Sequence, residues 1–312
     1  MKTPRTPLYG LTIALLTSAT LLPQAHAITI AHGGDSVDID FVDIGNAGNV
    51  GQTYTDNWDN TVTHGAVSYD YQIGTFEVTA QQWAAVSSFD ANVETGTEPD
   101  PWSGSQPTAN VNWNEAAKFA NWLTSGDALQ GAYQFSDPST FIGIDRITAL
   151  STYGKVYVLP TEDEWYKAAY FKSDGSGYTT WSKGNSRPVA GLDANFHGRT
   201  FYPTTPWNVG SGTMENNGTY DMFGNVSEYN ESKFGLTDAW VRRGLSWYVW
   251  DSETPDPTQS SYRSSLLPGF EFESVGFRVA AIDIVDIGAM PEPSSVGLLA
   301  IGAMGCMLRR KR

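Results

Sequence analysis

Leu159-Pro160-Thr161-Glu162-Asp163-Glu164-Trp165 carries the clearest structural instruction in the 312-residue chain. Thr161 offers a hydroxyl to the free amides of a starting helix, Glu164 reaches back three positions to complete a capping box, and three acids face the positive end of the helix dipole. Ala168, Ala169 and Tyr170 continue the helix. Upstream, the signal recurs in weaker form. Thr79 with Gln82 precedes Trp83 and Val86 and predicts a short helix to about Ser88; Asn112 with Glu115 precedes Ala116, Phe119, Ala120 and Leu123 and predicts an amphipathic helix ending before Gly126. Further out, Val37, Ile39 and Phe41 alternate with acids ahead of a Gly/Asn-rich loop from Gly45 to Gly51, and Val67, Tyr69, Tyr71 and Ile73 predict a bent strand or strand pair. Beyond Lys172 the chain turns to Gly, Ser, Asn, Pro and aromatics without helical or long alternating runs, which predicts ordered loops anchored by buried rings such as Trp181, Trp207, Trp240 and Trp247.

Composition narrows the function. With 40% hydrophobic and 13% aromatic residues the chain has material for a large core, and it shows neither an internal repeat nor an interdomain linker. A formal charge of -15 argues against a surface built for a phosphate backbone, so no nucleic acid partner is expected. The single cysteine, Cys306, excludes a disulfide framework and a thiolate zinc site.

The two ends read as transport signals. Lys2 and Arg5 precede an apolar run from Leu8 to Leu22 and the small-residue pair Ala25 and Ala27, so residues 1–27 are expected to be removed by a signal peptidase. At the other end Met290-Pro291-Glu292-Pro293 is followed by an apolar stretch from Ser294 to Leu308 and then Arg309-Arg310-Lys311-Arg312. A short apolar helix with a basic stop halts export with its positive end inside, so transient inner-membrane anchoring is expected. This tail resembles the PEP-CTERM sorting signal of Gram-negative bacteria, which implies cutting by an exosortase-type protease and release to the cell surface or the extracellular space. Losing both ends removes six basic residues and one acid, so the mature segment is more acidic still and contains no thiol. The organisation expected is a signal at 1–27, one domain at 28–289 with its core at about 65–281, and a sorting tail with a short transmembrane helix at 290–312.

Seven segments in a fixed order carry a second resemblance. They are Tyr71 to Thr79, Val111-Asn112-Trp113 with the helix to Leu123, Leu159 to Trp165, Ala194-Asn195-Phe196, Gly224 to Tyr229, Arg243 to Trp247, and Val275 to Ala280. Their order resembles the formylglycine-generating enzyme family, the sulfatase-modifying factor fold related to C-type lectin-like domains. The resemblance implies a loop-rich α+β fold with few short helices and strands.

The family's chemistry transfers only in part. Members that oxidise a sulfatase cysteine hold copper between two thiolates placed just after the segment matched by Gly244 to Trp247. Here Tyr248, Val249, Trp250 and Asp251 come next and no cysteine appears through Arg278, so copper and that oxidase activity are not expected. Another branch binds iron through three histidines, and His32, His64 and His197 show no ligand spacing. Whether any catalysis remains is left open; an enzyme with non-thiol chemistry would need His197 within reach of Asp251 or Glu253.

What the resemblance retains is structural calcium. Its ligands map to the side chains of Asp221 and Glu228 and the carbonyls of Gly224 and Val226, while Asn195 and the Phe196 carbonyl match half of a second site. Mixed oxygen donors at close spacing suit a hard cation. Arg243, Arg263 and Arg278 match family arginines and read as ties between loops, with Arg263 also a candidate for the cleft. The cleft expected from Trp247, Tyr248, Trp250, Asp251 and Arg263 offers stacking surfaces for an extracellular polysaccharide or peptide. The leading reading is therefore an exported, non-catalytic surface or matrix protein on a calcium-stabilised scaffold, with an enzyme of non-thiol chemistry in the same cleft as the alternative.

Overall fold

The computed structural model describes residues 25–96, 98–198, 201–249 and 256–287. Along the chain, β1 (His26–His32) and β2 (Asp35–Ile44) form a hairpin, β3 (Gln52–Thr55) and β4 (Thr61–His64) form another, and β5 (Tyr71–Gly74) leads to α1 (Ala80–Phe89) and α2 (Trp113–Ser125). A third hairpin of β6 (Tyr133–Asp137) and β7 (Thr140–Ile144) precedes α3 (Arg146–Tyr153), β8 (Lys155–Val158) and α4 (Glu162–Tyr170). After a long irregular stretch come β9 (Ser227–Lys233), β10 (Trp240–Arg243), β11 (Ser264–Leu266), β12 (Val275–Gly276), β13 (Ala280–Asp283) and one closing turn, α5 (Ile284–Ile287). The main sheet has the order β1-β2-β5-β13-β8, and a four-stranded sheet has the order β11-β10-β9-β12. Mixed, mostly antiparallel sheets with a few helices and long loops make this a loop-rich α+β fold.

The three capping boxes read from the sequence are all formed, at Thr79 with Gln82, Asn112 with Glu115 and Thr161 with Glu164. Gly126 ends α2 with φ 82°, a left-handed backbone that glycine adopts without a Cβ penalty. That helix is buried on almost every side, so its polar residues need partners: Asn121 donates to the carbonyls of Ala128 and Tyr133, and Lys118 to Thr95 Oγ1 and the Pro138 carbonyl. Its first residue, Trp113, stacks on Trp240 of β10 with ring centroids 3.7 Å apart, which locks the second sheet to the helix.

Elsewhere the strands depart from expectation. The chain expected to loop from Gly45 continues into the β3-β4 hairpin, whose alternating Thr residues carry no apolar signal and pair across the strands, Thr53 Oγ1 lying 2.8 Å from Thr63 Oγ1. The period of two from Val67 yields only the four residues of β5. Strand β1 begins at His26, so His26 and Ala27, placed within the expected leader, pair with Phe41 and Asp40. Among the described residues no helix is long and apolar enough to cross a membrane. The expected membrane helix of the tail lies outside the described residues, as does most of the leader.

Candidate functional site

Strand β9 runs beside β12 in parallel, and this register sets Glu228 opposite Gly276, two residues before Arg278. Both side chains are fully buried. Glu228 accepts two hydrogen bonds from Arg278 at 2.7 Å each and a third from the Trp165 indole at 2.7 Å. Burial would lower the Arg278 pKa, but Glu228 and the carboxyls beyond it raise it. Its remaining donors reach the carbonyls of Gly74, Thr75 and Tyr220, so one guanidinium joins β5, the loop before Asp221 and β9.

Next to this pair the turn from Asp221 to Val226 folds tightly, with Asp221, Gly224 and Asn225 all at positive φ. Gly224 is required there: a Cβ would lie 2.7 Å from the Asn195 carbonyl oxygen. Asn225 is the hub. Its backbone amide donates to the Asn195 carbonyl at 2.8 Å, its side chain donates to Glu77 and accepts from the Trp207 amide, and its carbonyl receives the Trp247 amide at 2.8 Å.

Glu77, Asp221, Glu215 and Glu228 all surround Arg278, an excess of carboxylates in a dry place. Burial followed by the charges of Asp221 and Glu228 pushes Glu77 well above the carboxylate range, and burial raises Asp221 as well. Phe196 is buried within the small cluster of Ala194, Phe223 and Leu245. The fully buried Asn195 has an amide oxygen without a hydrogen-bond partner. An excess of carboxylate oxygens and an orphaned buried amide oxygen fit a calcium ion. Glu228 fits less well than Asp221, since its oxygens already serve Arg278 and Trp165.

Asn225 places the next feature by holding Trp207 and Trp247. Trp247 is buried and meets Trp102 edge-on, centroids 6.0 Å apart at 88°, and Tyr248 at 5.6 Å and 79°. Both indoles donate to the Glu273 carbonyl, at 3.1 Å from Trp102 and 3.4 Å from Trp247. Tyr248 is 64% exposed. His197 donates its backbone amide to the Val249 carbonyl and packs edge-on against Tyr202. Trp250, Asp251 and Glu253 lie outside the described residues.

The model of the sulfatase-modifying factor enzyme 1-like domain matches residues 23–282, most of the chain. This chain belongs to that family. Solved structures share the sulfatase-modifying factor fold at low identity: variable protein 1 of Treponema denticola (22% identical, TM-score 0.57, covering 83% of this chain and 99% of that one), CarF (22%, 0.58, 78% and 97%) and PvdO from Pseudomonas aeruginosa (17%, 0.54, 84% and 99%). A curated relative, the chaperone protein LppX of Paenibacillus barcinonensis, is 27% identical over 181 residues, covering 51% of this chain and 61% of that protein. The chain thus spans about three fifths of that relative's length. Residues 291–312 match the PEP-CTERM protein-sorting motif. The chain is therefore an exported protein of a Gram-negative bacterium, processed by exosortase-type sorting machinery, on a sulfatase-modifying factor scaffold.

One expected cleft residue of this scaffold belongs elsewhere. Arg263 turns inward, its guanidinium bonded to Glu162 through Nη2 and through Nε at 2.9 Å, with Asp56 3.6 Å from Nη1. Arg243 approaches the same Glu162 at 2.6 Å and also donates to the carbonyls of Ser260 and Tyr262 and to the Tyr54 hydroxyl. His64 stands at the edge of this cluster, 3.5 Å from Glu162 and 3.0 Å from Asp163. A charge this well paired in the interior is a tie between loops, as with Arg278, and Arg263 is not a wall of the cleft. Beside Trp247 the structure instead places Trp102. No local signal marked that residue, since it sits between prolines, and Trp247 lies far along the chain. Among the described residues no group of three His, Cys, Asp or Glu side chains is placed to hold a metal, so any cation here would rely on carbonyl and amide oxygens as well.

Proposed function

We propose that this chain is an exported binding protein without catalysis, a sulfatase-modifying factor domain stabilised by calcium that presents an aromatic cleft to an extracellular polymer at the cell surface or in the matrix. The observation that carries the reading lies immediately after the Gly244 to Trp247 segment. Where the copper oxidases place thiolates, this chain places Tyr248 and Val249, and the ring of Tyr248 joins those of Trp247 and Trp102. Soft thiolates select copper(I), and no residue here replaces them. Tyr248, exposed, and Trp102, half-buried and held by its indole hydrogen bond, are the rings that could meet a ligand, with the buried Trp247 as their support.

Calcium would be held by Asp221, Glu228 and the carbonyls of Gly224 and Val226, with Asn195 and the Phe196 carbonyl forming part of a second site. Its charge would offset the surplus of buried carboxylates around Arg278. The polymer is a polysaccharide or a peptide, and the name of the LppX relative, a chaperone, sides with peptide. The test is a binding screen of the purified protein against extracellular polysaccharides and peptides, repeated with Tyr248→Ala. Because Tyr248 is exposed, the substitution should leave the fold intact and weaken binding about tenfold, the worth of one good stacking contact. Unchanged binding in the variant would remove the cleft as the site.

A further inference from the structure

We infer that the surface between β2, the start of α1 and the segment 206–211 binds a neutral polysaccharide; this rests on the reading of the chain as a binding protein, names the class of its polymer and places it on residues other than Tyr248. Two cavities adjoin there. One, of about 390 Å³, is lined by Asp38 and Asp40 of β2, by Gln81 of α1 and by Phe76, Ser105 and Val209. The other, of about 430 Å³ and more open, is lined by Gln106, Pro206, Trp207, Asn208 and Ser211. Val209 donates its amide to the Ser105 carbonyl at 2.8 Å, and the chain neighbours of that pair, Asn208 and Gln106, line the second cavity. The two cavities are therefore neighbours across one hydrogen bond, an arrangement that suits successive units of a polymer.

The backbone around them is already committed. The amides of Trp207 and Gly210 donate to Asn225 Oδ1 and Asp221 Oδ2, each at 2.7 Å, and the Pro206 carbonyl accepts from the Gln106 amide group. On β2 the Asp38 carbonyl accepts from Gln82 Nε2 and the Asp40 carbonyl from the Thr75 amide. The side chains are not committed. Among the described residues the carboxamides of Gln81 and Asn208, the carboxylate of Asp40 and the indole N–H of Trp207 have no hydrogen-bond partner. Main-chain pairing is what gives an extended peptide its affinity, and here the groups for it are taken. Saccharide hydroxyls instead need carboxamides and carboxylates that donate and accept from fixed places, beside an aromatic ring for the C–H face. Gln81, Asn208 and Asp40 supply the first, Phe76 and Trp207 the second, and the pinned backbone keeps the cost of ordering them low. Neither lining holds a Lys, Arg or His, and Asp38 and Asp40 repel an anionic chain, so the saccharide is a neutral one.

Calorimetric titration of the purified protein with disaccharides and hexasaccharides of glucose, mannose and galactose, with an oligouronate and a lysine-rich peptide alongside, tests this. Expected is that at least one neutral hexasaccharide binds, more tightly than its disaccharide because it reaches both cavities, and with little dependence on salt. Gln81→Ala and Asn208→Ala, one in each cavity and both exposed, should each weaken that binding about three- to tenfold, the worth of one or two hydrogen bonds, and leave the melting temperature unchanged. Failure of every neutral hexasaccharide to bind overturns the inference, as does an affinity unchanged in both variants. Tighter binding of the oligouronate or the peptide overturns the neutral saccharide. A saccharide that loses affinity in Tyr248→Ala but in neither of these variants overturns this site and leaves the Tyr248 reading standing; one that loses affinity in these variants and not in Tyr248→Ala does the reverse.

Discussion

Glu215 shows how much a single side chain can report about this interior. It is buried beside the Arg278 centre and accepts from Thr219 Oγ1 at 3.0 Å and the Met222 amide at 3.3 Å. Burial raises its pKa to about 7 against the pull of Arg278. A carboxyl whose folded pKa lies above its unfolded value takes up a proton first in the native state, so stability rises as pH falls from about 7 to about 4.5 and is lost as pH climbs back. Metal-free protein should therefore melt at a higher temperature near pH 5 than near pH 8, and Glu215→Gln should remove up to ~3 kcal/mol of that difference. Thermal melts of both proteins across this range check it; a flat profile in the unsubstituted protein would contradict the buried charge. None of this was legible in the sequence, where Glu215 sits in a polar turn like any solvated acid. Arg263 was legible as a tie between loops, but its second reading as a cleft residue could be set aside only in the fold, because residue type gives the charge and not the direction in which the side chain points.

Elements were legible where their signal is local. Three helices announce themselves by side chains that satisfy their own first amides, and all three form where the capping boxes place them. Strand β9 was invisible, since Ser227-Glu228-Tyr229-Asn230-Glu231-Ser232-Lys233 reads as a polar loop. Its acids are buried only because Arg278 and Arg146 come from distant segments to meet Glu228 and Glu231. The same long-range pairing gives the N-terminus of α4 its weight. Glu162, expected as a dipole-facing acid, is the meeting point of Arg243 and Arg263, which outweigh the burial that would raise its pKa and hold it below the usual range. Arg243→Met should cost about 3–5 kcal/mol, because it leaves a buried carboxylate with half its partners. Chemical denaturation measures this, and a cost under about 1 kcal/mol would show that Glu162 is neutralised in some other way.

At the scale of the whole molecule, the order of seven weak segments made the family legible, and the fold came with it. Of the ring cluster around Trp247, only Trp247 and Tyr248 were legible, because Trp102 joins them through a tertiary contact that no spacing encodes. The claim on which the functional reading stands is that this chain keeps the family's scaffold, with its calcium, and has given up its copper chemistry. Metal content and thermal unfolding of the purified protein, with and without calcium and repeated on Asp221→Asn, test both halves together. Expected are bound calcium without copper or iron, a melting temperature several degrees higher with calcium, the shift that ~1–2 kcal/mol of linkage produces, and loss of that shift in the variant. Tightly bound copper or iron, or melting indifferent to calcium, would contradict the reading and put an enzyme in its place.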